Sequence, residues 1–584
     1  MRVLHRILVA VAFFSLTATT LADETKPILV VAMRGHQNLI DDLSFVGSSI
    51  AFQAKDREKL GKKFVNGSIN SFLRKLLEKD EFDIQEMPGI DPQRPWGFTV
   101  LTDEVNIVPM AFLPITGLEA YLEVVKKYNG DRVQETEDGL YEINLTDTET
   151  VFIKTEGDWG FIAQGPDNLA TLPNPDEILG DLPSKYDLGM RINFQEIPEF
   201  LRDMVVDSSD RLAEILPIAN VQGPLGILGE EPGELLNMML TQIDQLTIGG
   251  SIDAENENIS FEVTVKPVEG SDVERHFATL PEATTRFGNL VDPDSAIMMH
   301  VTIAAMDDHT MKLAKKSIDD YHQQVMAAIE AAEEVGTDRE REVFGELLTS
   351  LHEITTASIE TRGVDMAMRM TGKSGKYTLV AATKVADREP VDAMVQRIAE
   401  LAQGDPGFET VKLQVAEQDG VAIHSFKMTA SGDQEDSKGV SMMQALFGDS
   451  IEMHIAVGED AFFFALGVDG LEQLKAAMKL EEKLVPPMEA VIDFESIADI
   501  LAVSVGDNQQ IQLAMVVMKM QLASADSHLS LSLNPSSDGM VFQGKAQKAI
   551  VKVIAIAFPL LQDTILEQLK SGDGALGLPS IPGL

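Results

Sequence analysis

The stretch Thr371-Gly372-Lys373-Ser374-Gly375 ends like a phosphate-binding loop. In a true loop of that kind a glycine stands five residues before the Gly-Lys pair, after a strand, and a helix opens behind it to cradle the phosphates. Here the preceding glycine is Gly363, too far back, and a strand pattern follows. A hairpin turn is the expectation. Met366, Met368 and Met370 alternate along a strand pattern, and thioethers are soft ligands that suit copper(I). Alternation puts all three on one face, expected to be buried, with methionine as a flexible core filler. The pairs Met238-Met239 and Met298-Met299 take the same reading.

The ten histidines are scattered. His352-Glu353 opens like a zinc-protease helix but lacks the second histidine one turn on. Asp307-Asp308-His309 offers oxygen and nitrogen ligands, yet reads as a helix N-cap with a solvated neighbour. The acidic stretches 253–258 (DAENEN) and 207–210 (DSSD) lack the spaced acids, turn glycine and closing glutamate of an EF-hand loop, so solvated loops are expected. The chain has no GxSxG nucleophile elbow. No residue is therefore assigned as catalytic, cofactor-binding or metal-ligating, and no cofactor is implied.

The elements that would have to position any site are clearer. Residues 151–201 run strand, acidic turn, strand, short helix, strand, short helix, and 453–501 run through the same order. Asp158, Phe161, Ala163, Gly165 and Asp167 match Asp460, Phe463, Ala465, Gly467 and Asp469 at a single offset of 302. Ile192, Phe194, Ile197 and Leu201 match Ile492, Phe494, Ile497 and Leu501 at an offset of 300. Alternating positions fit a half-buried strand and the i, i+4 positions a helix.

Around these blocks the same stations recur. A strand at 26–33 is followed by two helices at 37–60 and 65–79, then paired strands at 98–101 and 107–113 and a helix at 118–128. The later half gives a strand at 296–303, helices at 308–334 and 338–353, strands at 364–370 and 376–385, and a helix at 390–401. Each half closes on a hairpin, 246–252 with 259–265 and 529–533 with 540–542; helical stretches at 235–243 and 516–522 precede them. Hairpin-joined strands with helices between them give an α+β class, here a tandem duplication of a mainly antiparallel sheet unit with helices packed on it. The expected boundaries are a signal peptide at 1–22, a first unit at 23–285, a second at 286–549, and a C-terminal helix with a mobile Gly/Pro-rich tail at 550–584.

The 584-residue chain is 44% hydrophobic and carries a formal charge of −46, so it is globular and repels polyanions. Nucleic acid is excluded as an expected partner. Arg2 and Arg6, the apolar run 7–16 and Thr20-Leu21-Ala22 read as a secretory signal, placing the mature chain in the periplasm or outside the cell. No transmembrane segment is expected after cleavage, since 549–561 is short and holds Lys552 and Pro559. There is no cysteine, so neither disulfides nor thiol chemistry are available. One positive island breaks the acidity. Lys55, Arg57, Lys59, Lys62, Lys63, Arg74, Lys75 and Lys79 face only Asp56, Glu58 and Glu78. It reads as the solvated side of two amphipathic helices, with Leu60, Phe64, Phe72, Leu73 and Leu76 turned inward.

The block 157–172 with 190–201, and its second copy, resembles uncharacterised extracytoplasmic proteins of planctomycete and cyanobacterial type. In those proteins a strand pair ends near a Gly/Asp turn and short helix, here Gly165, Asp167 and Leu169, and precedes a strand such as Met190-Arg-Ile-Asn-Phe. The resemblance implies export and transfers no functional residue. The expected role is non-catalytic binding or scaffolding in the cell envelope with an unidentified partner or ligand. A competing role is a hydrolase whose acids meet only in three dimensions. A third, suggested by the Met-rich apolar strands, is a lipid or hydrophobic-ligand carrier with an elongated apolar cavity.

Overall fold

Period-two apolar patterning makes most of this chain strand, and hairpin-length connections make the strands pair antiparallel. The computed structural model describes residues 25–50, 88–129, 132–136, 139–144, 150–207, 232–331, 338–372, 376–403, 408–429, 446–448, 450–496 and 526–550, with positions 498, 519 and 522. The expected signal segment, the basic island, the loop 430–441 and the C-terminal helix and tail lie outside the described residues, as does most of 516–522. Those that are described fall into two compact units, one up to Ser271 and one at Asp272–Ile550. The class is α+β with large antiparallel sheets.

The first unit has strands β1 (Lys26–Met33), β2 (Trp96–Thr102), β3 (Ile107–Pro114), β4 (Val133–Glu135), β5 (Leu140–Asn144), β6 (Thr150–Glu156), β7 (Trp159–Ala163), β8 (Leu188–Asn193), β9 (Ile243–Asp253) and β10 (Asn258–Pro267). Its helices are α1 (His36–Ile50), α2 (Leu118–Asn129), α3 (Pro175–Leu179), α4 (Leu182–Lys185), α5 (Glu199–Asp207) and α6 (Pro232–Gln242). Ladder pairing gives the spatial order β4-β5-β6-β7-β3-β2-β1-β8-β9-β10, every neighbour antiparallel.

One face of this sheet is a filled core. Val30, Ala32, Leu101, Met110, Phe112 and Phe161 pack there against Leu179 of α3 and Leu182 of α4. α3 starts where Asn174 accepts a hydrogen bond from the Asp176 amide at 3.1 Å and Pro175 follows at N1. On the opposite face, α2 seals β5 and β6 by setting Tyr121, with Leu118 and Val125, against Ile143 and Ile153.

The second unit has β11 (Ala283–Thr285), β12 (Ile297–Ile303), β13 (Val364–Thr371), β14 (Thr378–Lys384), β15 (Phe408–Gln418), β16 (Val421–Thr429), β17 (Ser450–Val457), β18 (Ala461–Gly467), β19 (Lys483–Val485), β20 (Met488–Asp493), β21 (His528–Ser536) and β22 (Gly539–Ala546). Its helices are α7 (Asp272–Ala278), α8 (Asp308–Ala331), α9 (Asp338–Glu360), α10 (Arg388–Ala402) and α11 (Gly470–Met478). β11 and β19 form a small ladder of their own. The main sheet runs β15-β16-β17-β18-β14-β13-β12-β20-β21-β22, again antiparallel throughout. Leu474 and Ala477 of α11, with Phe287 and Leu290, fill one face over Met298, Ala367, Val380 and Phe463. Val391 and Val395 of α10 cover the other face at Phe426 and Ile455.

The methionine expectation needs correction. Met366 and Met368 share a face with Met370, which is buried as expected, but they themselves are half-buried; the deeply buried positions at that end of β13 are Asp365 and Ala367. A helix-backed core fills the face carrying Ala367, which leaves the thioethers on the far side of the sheet. Only Met370 reaches a core cluster. Met298 and Met299 split in the same way, the first buried and the second half-buried.

Candidate functional site: an apolar face across five strands

Successive side chains of a strand point to opposite faces, so a fixed register lines up side chains in rows across the sheet. In the first unit Phe98, Val31, Met190, Ile248 and Val263 stand opposite one another on β2, β1, β8, β9 and β10. The neighbouring rows are Trp96, Met33, Leu188, Gly250 and Phe261, and Val100, Leu29, Ile192, Leu246 and Val265. All but Gly250 carry an apolar side chain. At ~4.8 Å between strands a row is about 19 Å long, and three rows span about 14 Å.

This face lies opposite the core of α3 and α4. Leu188 is 54% exposed, Phe261 42% and Ile248 37%. Most of the rest are half-buried, Val100 alone being fully buried. The second unit builds the same pattern. Its rows are Met368, Met299, Ala490, Leu531 and Gly544; Met366, Val301, Met488, Leu533 and Phe542; and Met370, Ile297, Ile492, Leu529 and Ala546. Five thioethers sit among those positions, and methionine adapts its shape to whatever it contacts.

The back of the first unit's face is held by Tyr186. Its ring lies on Gly249 so closely that a Cβ there would stand 2.2 Å from ring carbon, and it also borders Gly189. The hydroxyl donates to Glu262 Oε1 at 2.5 Å. Burial, then the Glu262 carboxylate, push the phenol well above its ordinary range. At one end Asp187 ties three strands. Its carbonyl accepts from the Arg34 amide, its Oδ2 accepts from the Ile252 amide at 2.6 Å, and its own amide donates to Gly250. The Arg34 guanidinium lies 3.6 Å from Asp187 and 4.0 Å from Asp42. Burial and the neighbouring Asp187 raise the Asp42 carboxyl, and Arg34 opposes them.

At the other end of the β9–β10 hairpin, Asp253 accepts from the Asn256 amide at 2.9 Å and its side-chain amide at 2.7 Å. Those bonds hold the Asp253 carboxyl below its usual range. Asp253, the first acid of the stretch 253–258, is thus satisfied within its own turn.

The remaining sequence candidates separate in space. β13 and β14 pair as a hairpin through Thr371 and Thr378, the reading expected for 371–375, although 373–375 lie outside the described residues. Asp307 caps α8 by accepting from the Thr310 amide at 2.7 Å, as the capping pattern indicated. His352 finds its neighbours on the facing helix: its ring stacks on His322 at 4.5 Å and its Nε2 is 2.6 Å from Asp319. Sequence spacing within α9 carries no signal for that pairing. Among the described residues, no group of three or more His, Cys, Asp or Glu could hold a metal ion, and no helix is long and apolar enough to cross a membrane.

Sequence reasoning also passed over the buried polar groups of the second unit. Asp365 accepts from Thr285 Oγ1 at 2.7 Å and from the Arg286 amide at 2.9 Å. His300 is fully buried, with Nε2 3.5 Å from Glu489 on the next strand. Burial lowers the imidazoles of His454 and His424, against Glu452 and Asp392 respectively. Among these, Asp365 meets segments far away in the chain, His424 stands nearest Asp392 of α10, and His300 faces Glu489 of the neighbouring strand. Compared with protein-family models, with curated proteins and with solved structures, the chain finds no match.

Proposed function

We propose that this is an exported, non-catalytic binding protein of the cell envelope, and that its ligand is apolar and lies on the five-strand face. One observation carries the reading: on that face Leu188, Ile248 and Phe261, from three adjacent strands, are apolar and exposed, while its β2 end (Val100, Leu29 and Phe98) packs with Leu201 and Ile197. The exposed apolar area of those side chains favours a cover at roughly 25 cal/mol per Å². The acids support a binder over a hydrolase. Asp187 and Asp365 meet neighbours only in three dimensions: Asp187 Oδ2 accepts from the Ile252 amide, the Asp365 oxygens accept from Thr285 Oγ1 and the Arg286 amide, and Asp187 Oδ1 lies 3.6 Å from the Arg34 guanidinium. Among the described residues the helix-backed faces are filled by side chains such as Phe112 and Phe287, which speaks against an enclosed lipid tunnel there.

Export rests on the signal-like features of residues 1–22, and it accords with the resemblance to extracytoplasmic proteins. The two units are proposed to be one ancestral unit written twice. Supporting this, the two strand orders correspond one for one, and so do the registers. Val30 opposite Thr99 becomes Met298 opposite Arg369, Met110 opposite Ala163 becomes Val380 opposite Ala465, and Met190 opposite Ile248 becomes Ala490 opposite Leu531.

The test is uptake of Nile red by the full chain, followed by fluorescence. Saturable enhancement is expected, and Leu188→Gln with Ile248→Gln weakens it by about 1–2 kcal/mol, since each half-exposed side chain contributes part of its transfer energy. Enhancement that is absent, or unchanged in the double variant, refutes the reading.

A further inference from the structure

We infer that the second unit carries a site for a soft monovalent metal ion, copper(I), built of thioethers: Met299 of β12 with Met366 and Met368 of β13, and Met488 of β20 at the rim. This goes beyond the apolar-ligand reading and does not rest on it, since that reading stands on exposed side chains of the first unit.

Alternation along β13 supplies thioethers from one strand only, which is too few directions to surround an ion. The register completes the set. Met299 stands directly opposite Met368, and Val301 stands between Met366 and Met488, so the four methionines occupy neighbouring positions on three adjacent strands. Directly opposite side chains have Cβ atoms about 5 Å apart, and diagonal ones, as Met299 and Met366 are, stand about 7–8 Å apart. A methionine swings on three rotatable bonds, so sulfurs rooted at these spacings can close on one ion. Ala381 and Ala490 flank the Met368–Met299 pair on either side, and their small side chains leave the sulfurs room to turn.

Core packing does not account for these residues. Met370, next along β13, is buried in a core cluster. Met299, Met366, Met368 and Met488 are half-buried, and among the described residues none of them belongs to such a cluster. The four positions of the first unit that answer to them in register hold Val31, Trp96, Phe98 and Leu188, without a thioether.

The donor set selects the metal. Thioethers are soft and suit copper(I), whereas zinc and copper(II) take imidazole, and calcium and magnesium take oxygen. His300, Asp365 and Glu489 lie on the same three strands but on the opposite face, so these harder donors stay out of the site. The chain has 27 methionines and no cysteine, so no thiolate draws the ion elsewhere.

The experiment is competition for copper(I) between the full chain and the chromophoric chelator bicinchoninate, under ascorbate and without oxygen. The chain is expected to withdraw copper(I) from the chelator, and X-ray absorption at the copper edge is expected to show sulfur neighbours. Met299→Leu, Met366→Leu and Met368→Leu conserve apolar volume, so their circular dichroism stays that of the parent. Each is expected to weaken the competition by about tenfold or more, since even loss of an outer-sphere partner costs a metal site about that much. The triple variant no longer competes, while Met238→Leu on α6 competes like the parent. A chain that withdraws no copper(I), a triple variant that still competes, or a first shell of nitrogen and oxygen overturns the assignment.

Discussion

Replacing Gly249 with alanine puts a methyl group inside the ring of Tyr186. The new Cβ would lie 2.2 Å from Cδ1, 2.3 Å from Cγ and 2.4 Å from Cε1, distances at which something must move. Backbone shift in a central strand or an off-rotamer ring costs about 1–3 kcal/mol. If the ring leaves, its hydrogen bond to Glu262 is lost, roughly another 1.5–3 kcal/mol for a charged acceptor. Alanine returns about 0.5–1 kcal/mol over glycine in a strand. The net loss is about 2–5 kcal/mol, a fall in melting temperature of roughly 5–15 °C for a unit of this size. The assay is calorimetry on a double-mutant cycle with Tyr186→Ala. In that background the clash is gone, so Gly249→Ala becomes neutral or mildly stabilising. Equal losses in both backgrounds would refute the claim that the ring occupies the glycine's Cβ space.

Asp365→Ala leaves Thr285 Oγ1 and the Arg286 amide without their buried acceptor and destabilises the second unit by about 2–4 kcal/mol, readable as a shifted urea midpoint at constant slope. The buried His424 and His454 bind protons less readily in the fold than in the unfolded chain. Stability they contribute is therefore complete above about pH 6.5 and is lost as the pH falls through their depressed folded values. Urea midpoints at neutral and mildly acidic pH are expected to diverge in the parent and to converge partly in His454→Gln; an unchanged gap counts against burial of the neutral ring.

The sequence by itself determined the elements and their succession. Period two marks β1, β9 and β12, the stripe of Leu118, Tyr121, Leu122 and Val125 marks α2, and capping residues such as Asp307 mark where helices begin, because these signals are local. The repeated order of stations was legible for the same reason. The strand β15, the ladder of β11 with β19 and the helix α7 were not foreseen, being short or, for β15, irregular where its register shifts between Lys412 and Ala416.

Tertiary structure alone decided which side of a strand becomes core. In β8 the side bearing Gly189 and Arg191 faces α4 and Tyr186, while Leu188, Met190 and Ile192 point away; in β13 Asp365 and Ala367 go inward and Met366 and Met368 do not. Apolar alternation supplies two candidate faces without ranking them. The ranking comes from distant segments: an aromatic ring that needs the flat space of two glycines, and Thr285 with the Arg286 amide meeting a carboxylate far along the chain. Burial depends on what arrives from elsewhere, so the apolar rows proposed here as a binding face emerge only once the strands are in register.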